Sequence, residues 1–248
     1  MSEPEKTSPA DMSGTELAQY VAELFHRIIM HHVLWFTEVG HQMGHERAME
    51  MLDQVVKTSC AIQMKRLSKV LGFELKDGLP AALAGMSEEK LRELLEAVSV
   101  NWLANDGIWF QTVENTHGMN EAKRCNDSCW AQFSPVEAGM ISKMLDLPEK
   151  PGLEGLKKAL GFRLYANINT QSIIEESENS FIFQMNDCRV QSARKRRNLP
   201  DYPCKSAGLV EYSYFARTID PRITTECLGC PPDEHPDQWY CAWRFSIA

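Results

Sequence analysis

The sequence predicts an α+β protein: a helical N-terminal repeat domain over 14–150, then an antiparallel-sheet α/β domain over 151–248 with a Cys-rich metal site, behind a disordered lead over 1–13. Three observations carry this expectation. Apolar residues recur at helical spacing through the first half, within an internal repeat. Past residue 160 the apolar period changes to two. Cysteines crowd the end of the chain.

Ser13-Gly14-Thr15-Glu16 offers a capping serine and a glutamate that can reach back, so the first helix starts there. Leu17, Val21, Leu24, Phe25, Ile28 and Ile29 continue it, and the pattern runs through His32 to Phe36 before Gly40 and Gly44 interrupt it. Ala48, Leu52, Val55, Val56, Ala61, Met64, Leu67 and Leu71 mark a second helix that stops at Gly72. Ser87-Glu88-Glu89 caps another, continued by Leu91, Leu94, Leu95 and Val98. A shift of 74 positions lays Trp35-Phe36 on Trp109-Phe110, Val39 on Val113, Gly44 on Gly118, Ala48 on Ala122 and Leu71 on Leu145. Two helix-Gly-helix units are the physical reading, so Asp106–Asn115 is expected to be helical. Pro151-Gly152 closes the helical half.

After a short helix at Leu153–Leu160, Leu164, Ala166 and Ile168 alternate with polar neighbours, as do Phe181, Phe183 and Met185. They predict antiparallel strands joined near Glu178-Asn179. Helices are expected at Cys188–Leu199 and Gly208–Ile219, and strands at Arg222–Cys227 and Trp239–Ile247, the last with Cys241, Trp243, Phe245 and Ile247 on one face.

Composition narrows the function classes. With 248 residues, 44% hydrophobic and 24% charged, the chain has the make-up of a globular protein. A net charge of −8 disfavours nucleic acid and anionic membranes as partners, and no apolar run reaches the roughly 20 residues of a membrane span. The polar, acidic start is unlike a signal peptide, so a cytoplasmic location is expected. No phosphate-binding loop, dinucleotide fingerprint, serine elbow or H-E-x-x-H is present.

Of eight cysteines, Cys188, Cys204, Cys227, Cys230 and Cys241 fall in the last quarter. In a reducing compartment such thiols serve as metal ligands or reactive groups more often than as disulfides. Cys227-Leu228-Gly229-Cys230 can present two sulfurs to one ion, and convergence at one end of the sheet adds the others. The expected cofactor is Zn²⁺ or, next in preference, a [4Fe–4S] cluster. Five thiols exceed the four such a site uses. Cys188, beside Arg189 at a helix start, is therefore a candidate nucleophile with a lowered pKa.

Cys204-Lys205-Ser206-Ala207-Gly208 with the helix after it, Glu226-Cys227, and Cys241-Ala242-Trp243-Arg244-Phe245 resemble the ending of the 4-vinyl reductase domain superfamily. They also resemble the cysteine pattern of the L-2-amino-thiazoline-4-carboxylate hydrolase-like proteins. The resemblance runs from Gly152 to the end and implies small α/β domains that bind ligands or metal and often dimerise. The whole chain looks most like a family of cytosolic proteins from anaerobic microbes. The expected function is a metalloprotein that binds a small organic ligand beside the thiol-held centre, with a homodimer among its partners. One alternative is a metal- or thiol-dependent hydrolase of a small heterocycle or amide.

A second alternative rests on histidine. His26, His31, His32, His41 and His45 cluster, and Glu38-x-x-His41 and Glu114-x-x-His117 have the spacing of di-iron bundle ligands. The repeat aligns Glu38 with Thr112, out of register, so chance spacing is the simpler account. The aromatic pairs Trp35-Phe36 and Trp109-Phe110 read as core, and Arg194-Lys195-Arg196-Arg197 as helix-end charge or as a patch for an acidic ligand.

Overall fold

The structure, a computed structural model, describes residues 6–198 and 201–247. It divides into two compact units, Met1–Gly78 and Leu79–Ala248, so the boundary expected near residue 150 falls inside the second unit. The lead expected to be disordered lies outside the described residues as far as residue 5. Beyond that, Ser8 caps a short 3-10 turn at Pro9–Asp11 through a capping box with Asp11.

The first unit is a helical hairpin. Helix α1 (Gly14–Met43) starts at the expected box, with Ser13 accepting from Glu16 N and the Glu16 carboxylate accepting from Ser13 N. Helix α2 (His45–Leu71) follows after Gly44 alone and ends at Gly72 in the left-handed region. Gly44 has φ 91°, a torsion that side-chain-bearing residues rarely adopt, and this lets the chain reverse in one residue. Ala48, 2% exposed, packs where Gly40 lets the helices approach.

The second unit contains a counterpart of that hairpin together with further helices and a sheet. After the short helix α3 (Ala81–Ala84), helix α4 (Glu88–His117) is capped by Ser87, and Gly118, with φ 89°, turns the chain into α5 (Met119–Met144). Gly44 and Gly118 are the 74-residue counterparts, so the repeat read in the sequence is a repeat of structure. Here α5 packs on α8 (Lys205–Ile219) and buries Trp130, Ser134, Glu137, Ala138 and Ile141.

Helix α6 (Gly152–Leu160) and four antiparallel strands follow: β1 (Thr170–Ser177), β2 (Ser180–Asp187), β3 (Ile223–Gly229) and β4 (Cys241–Ile247), in the order β1-β2-β4-β3. Helix α7 (Arg189–Arg196) leads out of β2; Leu199, its expected end, lies outside the described residues. Phe181, Phe183 and Met185 of β2 and Trp243 and Phe245 of β4 alternate inward and pack on Tyr212, Phe215 and Ile219 of α8 and Leu156 and Leu160 of α6. On the opposite face Arg244 grips Glu176 with two bonds of 2.7 and 3.0 Å and reaches Glu226 at 2.6 Å, tying three strands with charge.

One strand is misplaced in the sequence reading. Leu164–Asn167 is a 3-10 turn, and the chain becomes extended only at Thr170. Arg163, buried, and Leu164 N both bond Glu137, which anchors this stretch as a turn on α5. The true edge strand β1 is largely exposed, so its apolar pattern is faint.

Asp220 fastens two elements behind the sheet. Its buried carboxylate accepts from Gly152 N at 2.9 Å, at the start of α6, and from Arg222 Nη2 at 2.7 Å and Nε at 3.0 Å. The Arg222 guanidinium, with the backbone N–H groups, holds Asp220 down at about 2 against an ordinary 3.8. A depressed carboxylate contributes stability above its ordinary pKa and loses it as pH falls through the folded value. Asp220→Asn therefore melts lower than wild type at pH 7, and the gap narrows between about pH 4 and pH 2; thermal melts across that range check it.

Candidate functional site

A cavity of about 700 Å³ opens within the second unit. Its residues come from nearly every element there: Leu103, Gly107 and Phe110 of α4, Trp130 of α5, Tyr165, Met185 of β2, Cys188 and Val190 at α7, Ala207, Glu211 and Tyr212 of α8, and Trp243 of β4. Burial grades along it. Cys230, Trp243 and Tyr212 are 1, 0 and 4% exposed and form the closed end, whereas Arg196 and Arg197 at the end of α7 are exposed and form the rim.

Four of the five expected thiols meet at the closed end. Cys188 is the N-cap residue of α7, Cys204 that of α8, Cys230 follows β3, and Cys241 opens β4. The sheet sets the last two. Gly229 pairs with Ala242, which brings Cys230 and Cys241 to neighbouring positions on adjacent strands. Gln191, fully buried, fixes Cys204: its amide donates to Tyr202 O at 2.8 Å and to Cys204 Sγ at 3.1 Å, while Tyr202 N donates back to Gln191 Oε1. The neighbouring Cys204 and Cys241 thiols, and then burial, push the Cys230 thiol far up.

Cys227 stands apart. A bulge between Cys227 and Gly229 breaks the register, so Cys227 lies opposite Trp243 near Lys205 and does not line the cavity. All eight cysteines are free thiols. Among the described residues, no group of three or more His, Cys, Asp or Glu side chains stands in the arrangement of a metal site.

Cys188 departs from the expected activated nucleophile. Burial, and then the neighbouring Cys204 and Cys241 thiols, push it up to about 12, outweighing the backbone N–H groups of Gln191 and Val190 that pull it down. The helix start supplies the N–H groups, as read in the sequence, but the low-polarity surroundings win.

Charged groups unseen in the sequence frame the cavity. Arg163, 2% exposed, donates from Nε to Glu137 at 2.9 Å and pairs through Nη1 with Glu211 at 2.7 Å. Trp130, Tyr165, Tyr212 and Phe215 ring its guanidinium at 4.8 to 5.8 Å. Burial raises Glu211 above the ordinary carboxylate range, though Arg163 pulls it back. Asp106 on α4 is likewise raised by burial, opposed by Lys123. Tyr202 closes one side, donating to Asn126 Oδ1 at 3.1 Å and receiving from Lys123 Nζ at 3.2 Å. These partners lie far apart in the chain, and no local pattern announces them.

The histidines take no part. His26, His31, His41 and His45 are exposed on the first hairpin, and Glu38/His41 and Glu114/His117 lie in different compact units.

Fold and cavity together define the class: a helical hairpin and an antiparallel sheet enclosing a space of small-molecule size. Residues 84–247 match the profile of DUF6125, a family of unknown function, and the chain belongs to that family. No curated protein and no solved structure matches it. Among the described residues no helix is long and apolar enough to cross a membrane.

Proposed function

We propose that the second unit binds a small organic molecule whose flat apolar body lies among the aromatic rings and whose anionic end meets the arginines of α7. The cavity itself is the observation that carries this reading. Its volume of about 700 Å³ and its Phe110, Trp130, Tyr165, Tyr212 and Trp243 lining suit a ring system, as small-molecule sites generally do. The indole N–H of Trp243 is buried with no hydrogen-bond partner among the described residues, which suits an acceptor on the ligand. Arg189, Arg194, Arg196 and Arg197 place four positive charges on the rim of a chain of net charge −8. The raised Cys188 thiol favours binding over nucleophilic hydrolysis. The likeness of Cys204–Gly208 and Cys241–Phe245 to ligand-binding 4-vinyl reductase-type domains supports the same reading.

The presence of Cys188, Cys204, Cys230 and Cys241 on the wall of one cavity supports a second reading. Zn²⁺ or an iron–sulfur cluster is what clustered thiols would take, with Cys188 the fourth donor; the expected ligand beside a metal is then one site. Metal and sulfide analysis of anaerobically purified protein decides it, less than one metal per chain sinking this second reading.

Fluorescence titration with the anionic ring probe 1-anilinonaphthalene-8-sulfonate tests the first. Binding is expected to slow N-ethylmaleimide labelling of Cys188, and Ala193→Trp on the cavity wall abolishes that protection. Arg196→Gln with Arg197→Gln weakens the anionic probe about 10-fold and leaves neutral Nile red unchanged. Probe binding that never protects Cys188 would refute the cavity as the binding site.

A further inference from the structure

We infer that Asp106 and Gly107 of α4 form a subsite for a protonated nitrogen on the occupant of the cavity, so that the occupant is a ring compound carrying both a basic nitrogen and an acid group. This rests on the cavity as a ligand site and adds a charge that the arginines of α7 cannot read. Leu103, Asp106, Gly107, Phe110 and Glu114 stand at i, i+3, i+4, i+7 and i+11 on one face of α4, and all of them line the cavity. Charge divides across the lining. Asp106 and Glu114 belong to α4, whereas Arg189, Arg194, Arg196 and Arg197 belong to α7 and its C-cap. A wall of each sign suits a molecule that carries both.

Asp106 is a carboxylate in want of a partner. Among the described residues it makes no hydrogen bond and no ion pair. Lys123, the cation that opposes its burial, is held elsewhere, 3.1 Å from Asp127 and 3.2 Å from the Tyr202 hydroxyl. A carboxylate drawn out of water without a counter-ion is unfavourable, and an ammonium on the ligand supplies one. Gly107 is an independent observation. It lies inside a helix of 30 residues, where only proline is less favourable than glycine, and a Cβ there would meet nothing but Gln111 Nε2, at 3.9 Å. Packing among the described residues therefore does not require the missing side chain. Val33, its counterpart 74 positions earlier, is 49% exposed, so a helix of this repeat accepts a branched side chain at that point. The copy that borders the cavity keeps the position bare, as backbone that a ligand approaches closely does. The Trp243 indole N–H, fully buried and without a partner among the described residues, belongs to the same lining and calls for a polar ligand on its own account.

Displacement of 1-anilinonaphthalene-8-sulfonate from the full chain tests this, with free tryptophan and indole-3-propionate as competitors. The two share an indole and a carboxylate and differ by the ammonium. Tryptophan is expected to displace the probe at a concentration about 10-fold lower than indole-3-propionate does. Asp106→Asn brings that ratio to about 1. Gly107→Val weakens tryptophan about 10-fold with no fall in melting temperature, which separates a blocked ligand from a damaged fold. A ratio near 1 for wild type, or a preference that survives Asp106→Asn, overturns the inference and leaves the cavity reading standing. So does tryptophan binding indifferent to Gly107→Val. A probe that never binds, or never protects Cys188, removes the cavity reading and this inference with it.

Discussion

Arg163→Met lowers the unfolding free energy by about 4 kcal/mol, the usual cost of leaving buried carboxylates without their counter-ion. Glu137 and Glu211 are 7% exposed, and with the guanidinium gone both lose the cation that pairs with them. The loss depends on pH in a definite direction. Burial already holds Glu211 above its ordinary value, and Arg163 is what pulls it down. Without that pull the folded carboxyl binds its proton more tightly still. A carboxyl whose folded pKa exceeds its unfolded one stabilises at low pH and ceases to as pH rises through the folded value. The variant is thus less unstable at pH 5 than at pH 8. Urea unfolding at both pH values, followed by tryptophan fluorescence, checks this. Adding Glu137→Gln and Glu211→Gln to Arg163→Met is expected to recover most of the loss, since the penalty belongs to the stranded charges. A deficit equal at both pH values would mean that lost packing against the four rings matters more than charge.

Gly208→Ala is the second large effect, in a substitution that would be mild on most helices. A Cβ there would sit 2.5 and 2.9 Å from Cζ2 and Cη2 of Trp243, distances that real side chains do not hold. The indole is fully buried and packed on Tyr212 at 4.8 Å, so it can yield only toward the cavity. The expected cost is about 2 kcal/mol, or roughly 6 °C in melting temperature for a chain of this length. Because the displaced ring enters the space that a ligand would fill, probe binding falls along with stability. Trp243→Phe on the same background restores the melting temperature by shortening the ring. Unchanged melting and binding for Gly208→Ala would show that the helix and sheet part easily at this point.

Much of this architecture is legible in the chain because its causes are local. The helix caps at Ser13 and Ser87, the one-residue joints at Gly44 and Gly118 and the inward alternation of Phe181, Phe183 and Met185 each depend on residues a few positions apart. The gathering of Cys188, Cys204, Cys230 and Cys241 at one end of the sheet follows from their places at strand and helix ends. Three things are hidden because their causes are distant. Cys227 leaves the group through a bulge that no spacing foretells. Leu164–Asn167 alternates like a strand, but a glutamate 26 residues before Arg163 holds it as a turn. The lowered thiol expected at Cys188 counted the helix start and missed the burial around it.

The cavity wall draws on residues from Val100 to Trp243, so the space exists only when the whole second unit is assembled. Any occupant therefore binds the native chain and not the unfolded one, and mass action ties occupancy to heat resistance. At a concentration 100 times its dissociation constant, a compound raises the free energy of denaturation by about 2.7 kcal/mol. A thermal-shift screen of metabolite collections can thus find the natural occupant without an activity assay, because the fold itself reports the encounter.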